Sequence, residues 1–299
     1  MKNRLIEPKT LAAIKNLPLL ARTVVDGFMT GYNQRLRRGS GMEFNQYKSY
    51  QPGDDLRQMD WKMFARSDRY YIKEAEVDTS ISVRFIVDAS ASMAHREGMP
   101  PHEAVSKMDY ARFLVSALAY LAYSQGDAIG LFVLQEGKLV NLTPRHDTMH
   151  LQRFWHQLEK LQPDGKFPDQ GDVQTLFSGK QGREMTLLVS DLYEQSEEIS
   201  RLIYQLSAMR NEVLCFHLMG KNEVEFTYQG HLTFEDLETG RTLQVDAAQH
   251  RLLYLERMRG FLRSVREEMQ KKGVTYQLFT LDQPLDEALR LFLSNRLRL

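Results

Sequence analysis

Directly after the apolar run Ile81–Val87 the chain reads Asp88-Ala89-Ser90-Ala91-Ser92. A carboxylate and two hydroxyls alternate with small alanines, so all three oxygens can turn toward one point. They are hard ligands of the kind that suit Mg²⁺, which keeps several waters and takes one or two protein carboxylates. Ser190-Asp191 stands in the same position after a second run, Met185–Val189. Ligands of open α/β sheets bind beyond the carboxyl ends of the strands, so neighbouring strands would set Asp88 and Asp191 face to face. Asp and Ser after a strand also cap helices and make turns. The spacing of Asp88, Ser90 and Ser92 fits a metal and a cap equally well. Asp191 by itself fits a cap better.

Other chemistries find less support. His146 and His150 are four apart, as zinc ligands on a helix are, but no further ligand motif accompanies them and they read as surface histidines. There is no Gly-x-Ser-x-Gly elbow and no evident histidine base for Ser90 or Ser92. Neither a Walker A sequence nor a Gly-x-Gly-x-x-Gly after a strand occurs. Asp88 lacks an acid two residues on, unlike a two-aspartate phosphoryl-transfer site. Cys215 lies in an apolar run and reads as a small core residue, and the 14 methionines are scattered as core fillers.

The elements that would position these residues alternate. Apolar runs at Ile81–Val87, Ala128–Leu134, Met185–Val189, Val213–Leu218 and Val274–Leu281 predict strands covered on both faces. Lys138–Leu142 is expected to pair with Ala128–Leu134 as a hairpin edge. Ser106-Lys107-Met108-Asp109 predicts a capping box opening a helix to Ser124, stopped at Gly126. Further helices are expected at Thr148–Leu161, Glu194–Met209, Ala247–Lys271 and Leu285–Leu297. The fourth of these five carries one apolar stripe of Leu252, Leu255, Leu262, Val265 and Met269. Strand–helix alternation implies a mostly parallel sheet with helices on both faces. Two regions stand outside it: an N-terminal extension, residues 1–78, and a small hairpin insertion, residues 222–246, in the sheet domain of residues 79–299. Glu238-Thr239-Gly240 marks the turn of the insertion.

Composition narrows the class. The 299 residues carry 39 Lys+Arg and 39 Asp+Glu, a formal charge of zero, which argues against a dedicated nucleic-acid binder. The Arg35-Leu36-Arg37-Arg38 cluster accordingly reads as a solvated face. A single cysteine excludes an internal disulfide framework and multi-cysteine metal clusters, and points to a cytoplasmic setting. The longest apolar stretch, Phe113–Tyr123, falls short of the roughly 18–20 residues a spanning helix needs. No compact apolar signal core opens the chain.

Asp88-Ala-Ser90-Ala-Ser92-Met93 after a hydrophobic strand resembles the metal-ion-dependent adhesion site of von Willebrand factor type A domains. In that family an Asp-x-Ser-x-Ser triad, a later Thr and a later Asp hold one divalent ion, whose free position accepts a partner's carboxylate. Asp191 matches the later Asp. The chain departs from the pattern at the threonine: the loop Gln162–Asp172 has none, and Thr175 comes later. Upstream, Gly39-Ser40-Gly41-Met42-Glu43-Phe44, then Tyr50-Gln51-Pro52-Gly53-Asp54-Asp55-Leu56-Arg57-Gln58-Met59-Asp60-Trp61, then Ala65-Arg66, resemble the signature of the domain of unknown function 58 family. This is a bacterial group with a type A-like domain. The hairpin Phe234–Gly240 and the ending Leu281-Asp282-Gln283-Pro284-Leu285 resemble it too. Asp54, Asp55, Arg57, Asp60 and Arg66 alternate in sign around Trp61. They read either as a network pinning the segment down with Trp61 buried, which is the favoured reading, or as an exposed recognition surface.

The resemblance implies a three-layer, Rossmann-like α/β fold of von Willebrand factor A type. It implies a non-enzymatic module in which Asp88, Ser90 and Ser92 hold Mg²⁺ or Mn²⁺, with Asp191 direct or through water, and a partner's acid completes the shell. It also implies a protein partner, a MoxR-type AAA+ ATPase, served in complex maturation or a chaperone-like role. Two alternatives stand beside it: a metal-independent scaffold that uses the 50–66 segment, and a metal-dependent hydrolase using the same acidic cleft.

Overall fold

The computed structural model describes residues 7–14, 16–39, 47–50, 59, 61–67, 69–73, 80–98, 104–168, 184–194, 197–209 and 211–296. Two compact units divide the chain: Met1–Phe28 with Ser80–Leu299, and Met29–Thr79. The expected extension is therefore not one body, because its first 28 residues join the sheet unit. Leu11, Leu20, Ala21 and Val24 explain this: they are fully buried there.

In chain order the described elements begin with α1 (Pro8–Ala12), α2 (Leu17–Gly39), β1 (Tyr47–Ser49), α3 (Trp61–Ser67), β2 (Tyr71–Lys73) and β3 (Ser82–Asp88). A 3₁₀ turn at Ala91–Ala94 leads to β4 (Arg96–Glu97), β5 (Val105–Ser106), α4 (Lys107–Ser124), β6 (Ala128–Gln135), β7 (Lys138–Arg145) and α5 (Thr148–Lys160). Then follow β8 (Glu184–Ser190), α6 (Glu198–Ala208), β9 (Glu212–Met219), α7 (Lys221–Glu225), β10 (His231–Glu235) and β11 (Thr242–Asp246). The last are α8 (Ala247–Lys271), β12 (Thr275–Thr280) and α9 (Asp286–Arg296).

The main sheet has the order β12-β9-β8-β3-β6-β7. Every pairing is parallel except β6–β7, the expected hairpin edge. On one face Ile86, Phe132, Leu188 and Cys215 pack with Ile199, Leu202, Ile203 and Leu206 of α6 and Met269 of α8. On the other, Phe85 meets Phe154 of α5 edge to face, with ring centroids 5.6 Å apart. α4 joins that layer, nearly all of its apolar side chains buried. This is a three-layer α/β sheet of von Willebrand factor A type, with strands buried on both faces as parallel strands must be.

Three expectations about helices need correction. Helix α6 starts at Glu198, four residues after the expected Glu194. Glu194 instead caps it: its carboxylate accepts the Ile199 and Ser200 N–H groups at 3.0 and 2.9 Å. The α8 stripe is only partly buried: Met269 is in the core, whereas Leu252 is 81 % exposed. A helix of 25 residues runs about 37 Å, while the six-residue β12 beside it runs about 20 Å. The N-terminal half of α8 therefore overshoots the sheet and packs on the insertion, where Phe226 and Tyr254 rings lie 4.5 Å apart. His150 is buried, not a surface residue, and its Nε2 sits 2.8 Å from the Ile129 carbonyl.

In the other unit, Phe64 stacks on Tyr70 at 4.5 Å, and Trp61 meets Phe64 edge to face at 6.4 Å. Trp61 is nonetheless 62 % exposed and Arg66 is exposed, against the expectation of a buried Trp61. Asp54, Asp55, Arg57 and Asp60 lie outside the described residues, as does Thr175.

Candidate functional site

The register of β3 and β8 pairs Val87 with Val189. The next residues, Asp88 and Ser190-Asp191, therefore leave the sheet side by side at its carboxyl edge. Ser190 Oγ donates to Asp88 Oδ2 at 2.6 Å, and the Ser90 N–H donates to Asp88 Oδ1 at 2.9 Å. Ser90 Oγ and Ser92 Oγ lie 3.0 Å apart, and Ser92 Oγ donates to Asp191 Oδ1 at 3.1 Å. The two carboxylates and two hydroxyls expected from the sequence thus form one connected set, with Asp88 and Ser90 fully buried.

Sequence reading missed the cation beside this set. Lys107, the first residue of α4, is held by the Ser106–Asp109 capping box. Its ammonium donates to Asp191 Oδ2 at 3.0 Å and to Glu223 Oε1 at 2.9 Å, with its side chain only 5 % exposed. The first position of a buried helix that faces two acids is a signal for such a lysine, but Glu223 is too distant in sequence to pair with it by inspection. Glu223 in turn accepts the Gly220 N–H at 2.5 Å, and Glu97 accepts the N–H of Asn222 at 2.6 Å. A cavity of about 440 Å³ opens beside these groups, lined by Ser92, His95, Lys107, Asp191 and Glu223, with His95 Nε2 3.9 Å from Glu223 Oε2. Ser92 commits its hydroxyl to Asp191 and Ser90.

The electrostatics follow from burial and charge. Burial, and then the Asp191 charge, push Asp88 up to about 6, against the hydrogen bonds from Ser190 and Ser90. Burial would raise Asp191 as well, but the Lys107 ammonium outweighs it and holds the carboxyl low. Burial would lower Lys107, and Asp191 and Glu223 together reverse that. One of the two facing acids is thus compensated and the other is not.

The loop where the family pattern places a threonine does reach the site, through its backbone. The Ala91 N–H donates to the Gly165 carbonyl at 2.9 Å, and the Asp164 N–H donates to the Ala89 carbonyl at 3.0 Å. The donor set is all hard oxygen. Neighbouring ligands of an octahedral Mg²⁺ stand about 3.0 Å apart, given Mg–O distances of about 2.1 Å. The Ser90–Ser92 and Ser92–Asp191 separations are those of the hydrogen bonds that join them, and an ion replacing those protons would need little movement of the oxygens. Among the described residues no three His, Cys, Asp or Glu side chains converge on one point. The two carboxylates and two hydroxyls present are donors of the kind that Mg²⁺ or Mn²⁺ would take together with several waters.

The strand order and the helices on both faces are those of an α/β domain of von Willebrand factor A type. The family model described as "Protein of unknown function DUF58" matches residues 46–261, and the chain belongs to that family. It is 25% identical over 248 residues to uncharacterized proteins of Mycobacterium bovis and Mycobacterium tuberculosis, covering 81% of this chain and 76% of each relative. Among solved structures it is similar to an aerotolerance-related membrane protein from Bacteroides fragilis (TM-score 0.49, 15% identity, 74% of this chain, 100% of that one). The SpRpn10 VWA domain is similar at a TM-score of 0.40 and 12% identity, over 71% of this chain and 94% of that one. Among the described residues no helix is long and apolar enough to cross a membrane.

Proposed function

We propose that this chain is a non-enzymatic protein-interaction module, working in the cytoplasm, whose strand-end site engages a partner through a divalent cation. Asp88, Ser90 and Ser92 would hold Mg²⁺ or Mn²⁺, with Asp191 direct or through water. The ion would supply the positive charge that draws a partner's Asp or Glu. The observation that carries this reading is Asp88: a buried carboxylate facing the charge of Asp191, held by the Ser190 hydroxyl and the Ser90 N–H, next to the linked Ser90 and Ser92 hydroxyls. A MoxR-type AAA+ ATPase is the partner that the family resemblance favours.

A second reading has its own support. Lys107 already brings one positive charge to Asp191, and no threonine faces the site from the Asp164–Gly165 loop. A metal-independent scaffold would use that internal cation and present the exposed Trp61 and Arg66 to its partner. Calorimetry with Mg²⁺ and Mn²⁺ separates the two. Binding heat from wild type that vanishes in a folded Asp88→Ala variant supports the metal reading, and silence from folded wild type sinks it. Retention of an ATPase on the immobilised protein, released by chelator, supports the partner. Turnover of a generic phosphoester that Asp88→Ala abolishes would establish a hydrolase instead.

A further inference from the structure

Helix α8 points Met258 and Phe261 at the cavity beside the strand-end site. With 3.6 residues per turn, Leu252, Glu256, Arg259, Arg263 and Arg266 fall on a different face. All five are exposed. Leu255 and Leu262 flank this face on one side, half-buried, and Leu253 and Gly260 flank it on the other, exposed. A Cβ added at Gly260 would meet nothing within 4 Å, so the surface is open there. Among the described residues Glu256, Arg259 and Arg263 join no ion pair, although both signs of charge are present on one face.

The spacing 252, 256, 259, 263, 266 is the alternation of four and three that makes a coiled-coil seam. The order of the charges decides how a second helix can lie on it. Parallel pairing would set Glu256 on Glu256 and Arg259 on Arg259. Antiparallel pairing about a two-fold axis between Arg257 and Met258 does the opposite. It sets Glu256 against Arg259 of the second copy, Leu252 against Arg263 and Gln249 against Arg266. Each contact occurs twice, because a two-fold interface uses the same patch on both subunits. A slip of seven residues one way opposes Arg259 with Arg263. The same slip the other way carries Arg263 past the N-terminal end of the facing helix, which begins at Ala247. In the favoured register Leu255 lies along Leu262 of the second copy, and Leu253 meets the open surface at Gly260. The long arginine stems cover the exposed Leu252 while their heads stay in water.

We propose that this face of α8 is a self-association surface, on which a second copy of the chain packs antiparallel with Glu256 against Arg259. The proposal makes no use of a cation at the strand ends, so it stands apart from the reading above. The seam from Gln249 to Arg266 runs about 26 Å. One helix pair of that length lies at the small end of specific interfaces, so the dimer is weak and forms only as the protein is concentrated.

The test is sedimentation equilibrium of the full chain in chelator, from about 1 to about 300 µM, a range that spans weak association. The average mass of wild type should climb toward twice the monomer. Glu256→Arg and Arg259→Glu each put like charges face to face twice, and each should weaken association by at least about tenfold. The double variant Glu256→Arg/Arg259→Glu restores opposite charges in the same register and should dimerise like wild type. Thermal unfolding of all three should match wild type closely, because both positions are exposed. Wild type that stays monomeric throughout would overturn the proposal and leave the face to a different protein. A dimer indifferent to the single changes would overturn it too, since another face would then carry the contact. Loss in the single variants with no recovery in the double would rule out the antiparallel register.

Discussion

Lys107→Met tests whether the buried ammonium holds the site together. Methionine keeps most of the stem volume and removes the charge, leaving Asp191 and Glu223 without the donor that lies within 3.0 Å of each. Removing one partner of a buried ion pair costs about 3–5 kcal/mol, because an uncompensated charge stays behind. At about 2–4 °C per kcal/mol for a domain above 150 residues, the thermal midpoint at pH 7 should fall by roughly 6–20 °C. The pH dependence gives the sign. In wild type Asp191 is held low, so its contribution is present above the unfolded carboxylate pKa and disappears only as pH falls through the depressed folded value. In the variant burial dominates and the carboxyl rises, so protonation relieves it. The gap between variant and wild type should therefore narrow from pH 7 to pH 5. Lys107→Met/Asp191→Asn should recover much of the stability, and Mg²⁺ should recover part of it in the single variant. The assay is thermal unfolding followed by circular dichroism, with chelator and with Mg²⁺. A fall below about 1 kcal/mol, the same at both pH values, would mean that the pair behaves like an exposed one and would refute this account.

Asp88, raised to about 6 by burial and Asp191, should make chelated wild type lose stability as pH rises from about 4 to about 6; Mg²⁺ or Asp88→Asn should flatten that slope in a thermal pH series. Glu184→Ala strands the Arg84 guanidinium, whose Nε donates at 3.2 Å from a site 4 % exposed, and urea unfolding should show a loss of about 3–5 kcal/mol, with Arg84→Met/Glu184→Leu close to wild type. Gly130→Ala places a Cβ 2.8 Å from the Leu142 carbonyl oxygen and 2.9 Å from Pro144 Cγ across the β6–β7 bulge, and the same unfolding series should register a loss of about 1–3 kcal/mol. Trp61→Ala, at a site 62 % exposed, should change unfolding by less than about 1 kcal/mol; a larger loss would show that the ring is part of a core.

What the chain made legible was local. The central strands β3, β6, β8, β9 and β12 announced themselves by apolar runs, α4 by its capping box, and β7 by adjacency to β6, since each depends on residues close in sequence. Asp88, Ser90, Ser92 and Asp191 were legible because a strand end is itself a local event. Lys107 and Glu223 were not: they meet across 116 residues, and the Tyr193–Asp236 bond to the hairpin spans 43. The α8 stripe misled because periodicity gives the face of a helix but not how far its neighbour extends. Trp61 misled for a related reason, since a dense run of charges says nothing of which ring it covers.

Cys215 lies in β9 without exposure, and burial pushes its thiol up to about 12. Native protein should therefore be silent to alkylating reagents at neutral pH, because the thiolate is the reacting species. A cysteine introduced at exposed Leu237 or Leu252 could then carry a single spectroscopic label with no background to remove. The native sulfur becomes a clock in turn: it reacts only when the sheet opens, so its alkylation rate under graded denaturant reads out how often the whole domain comes apart.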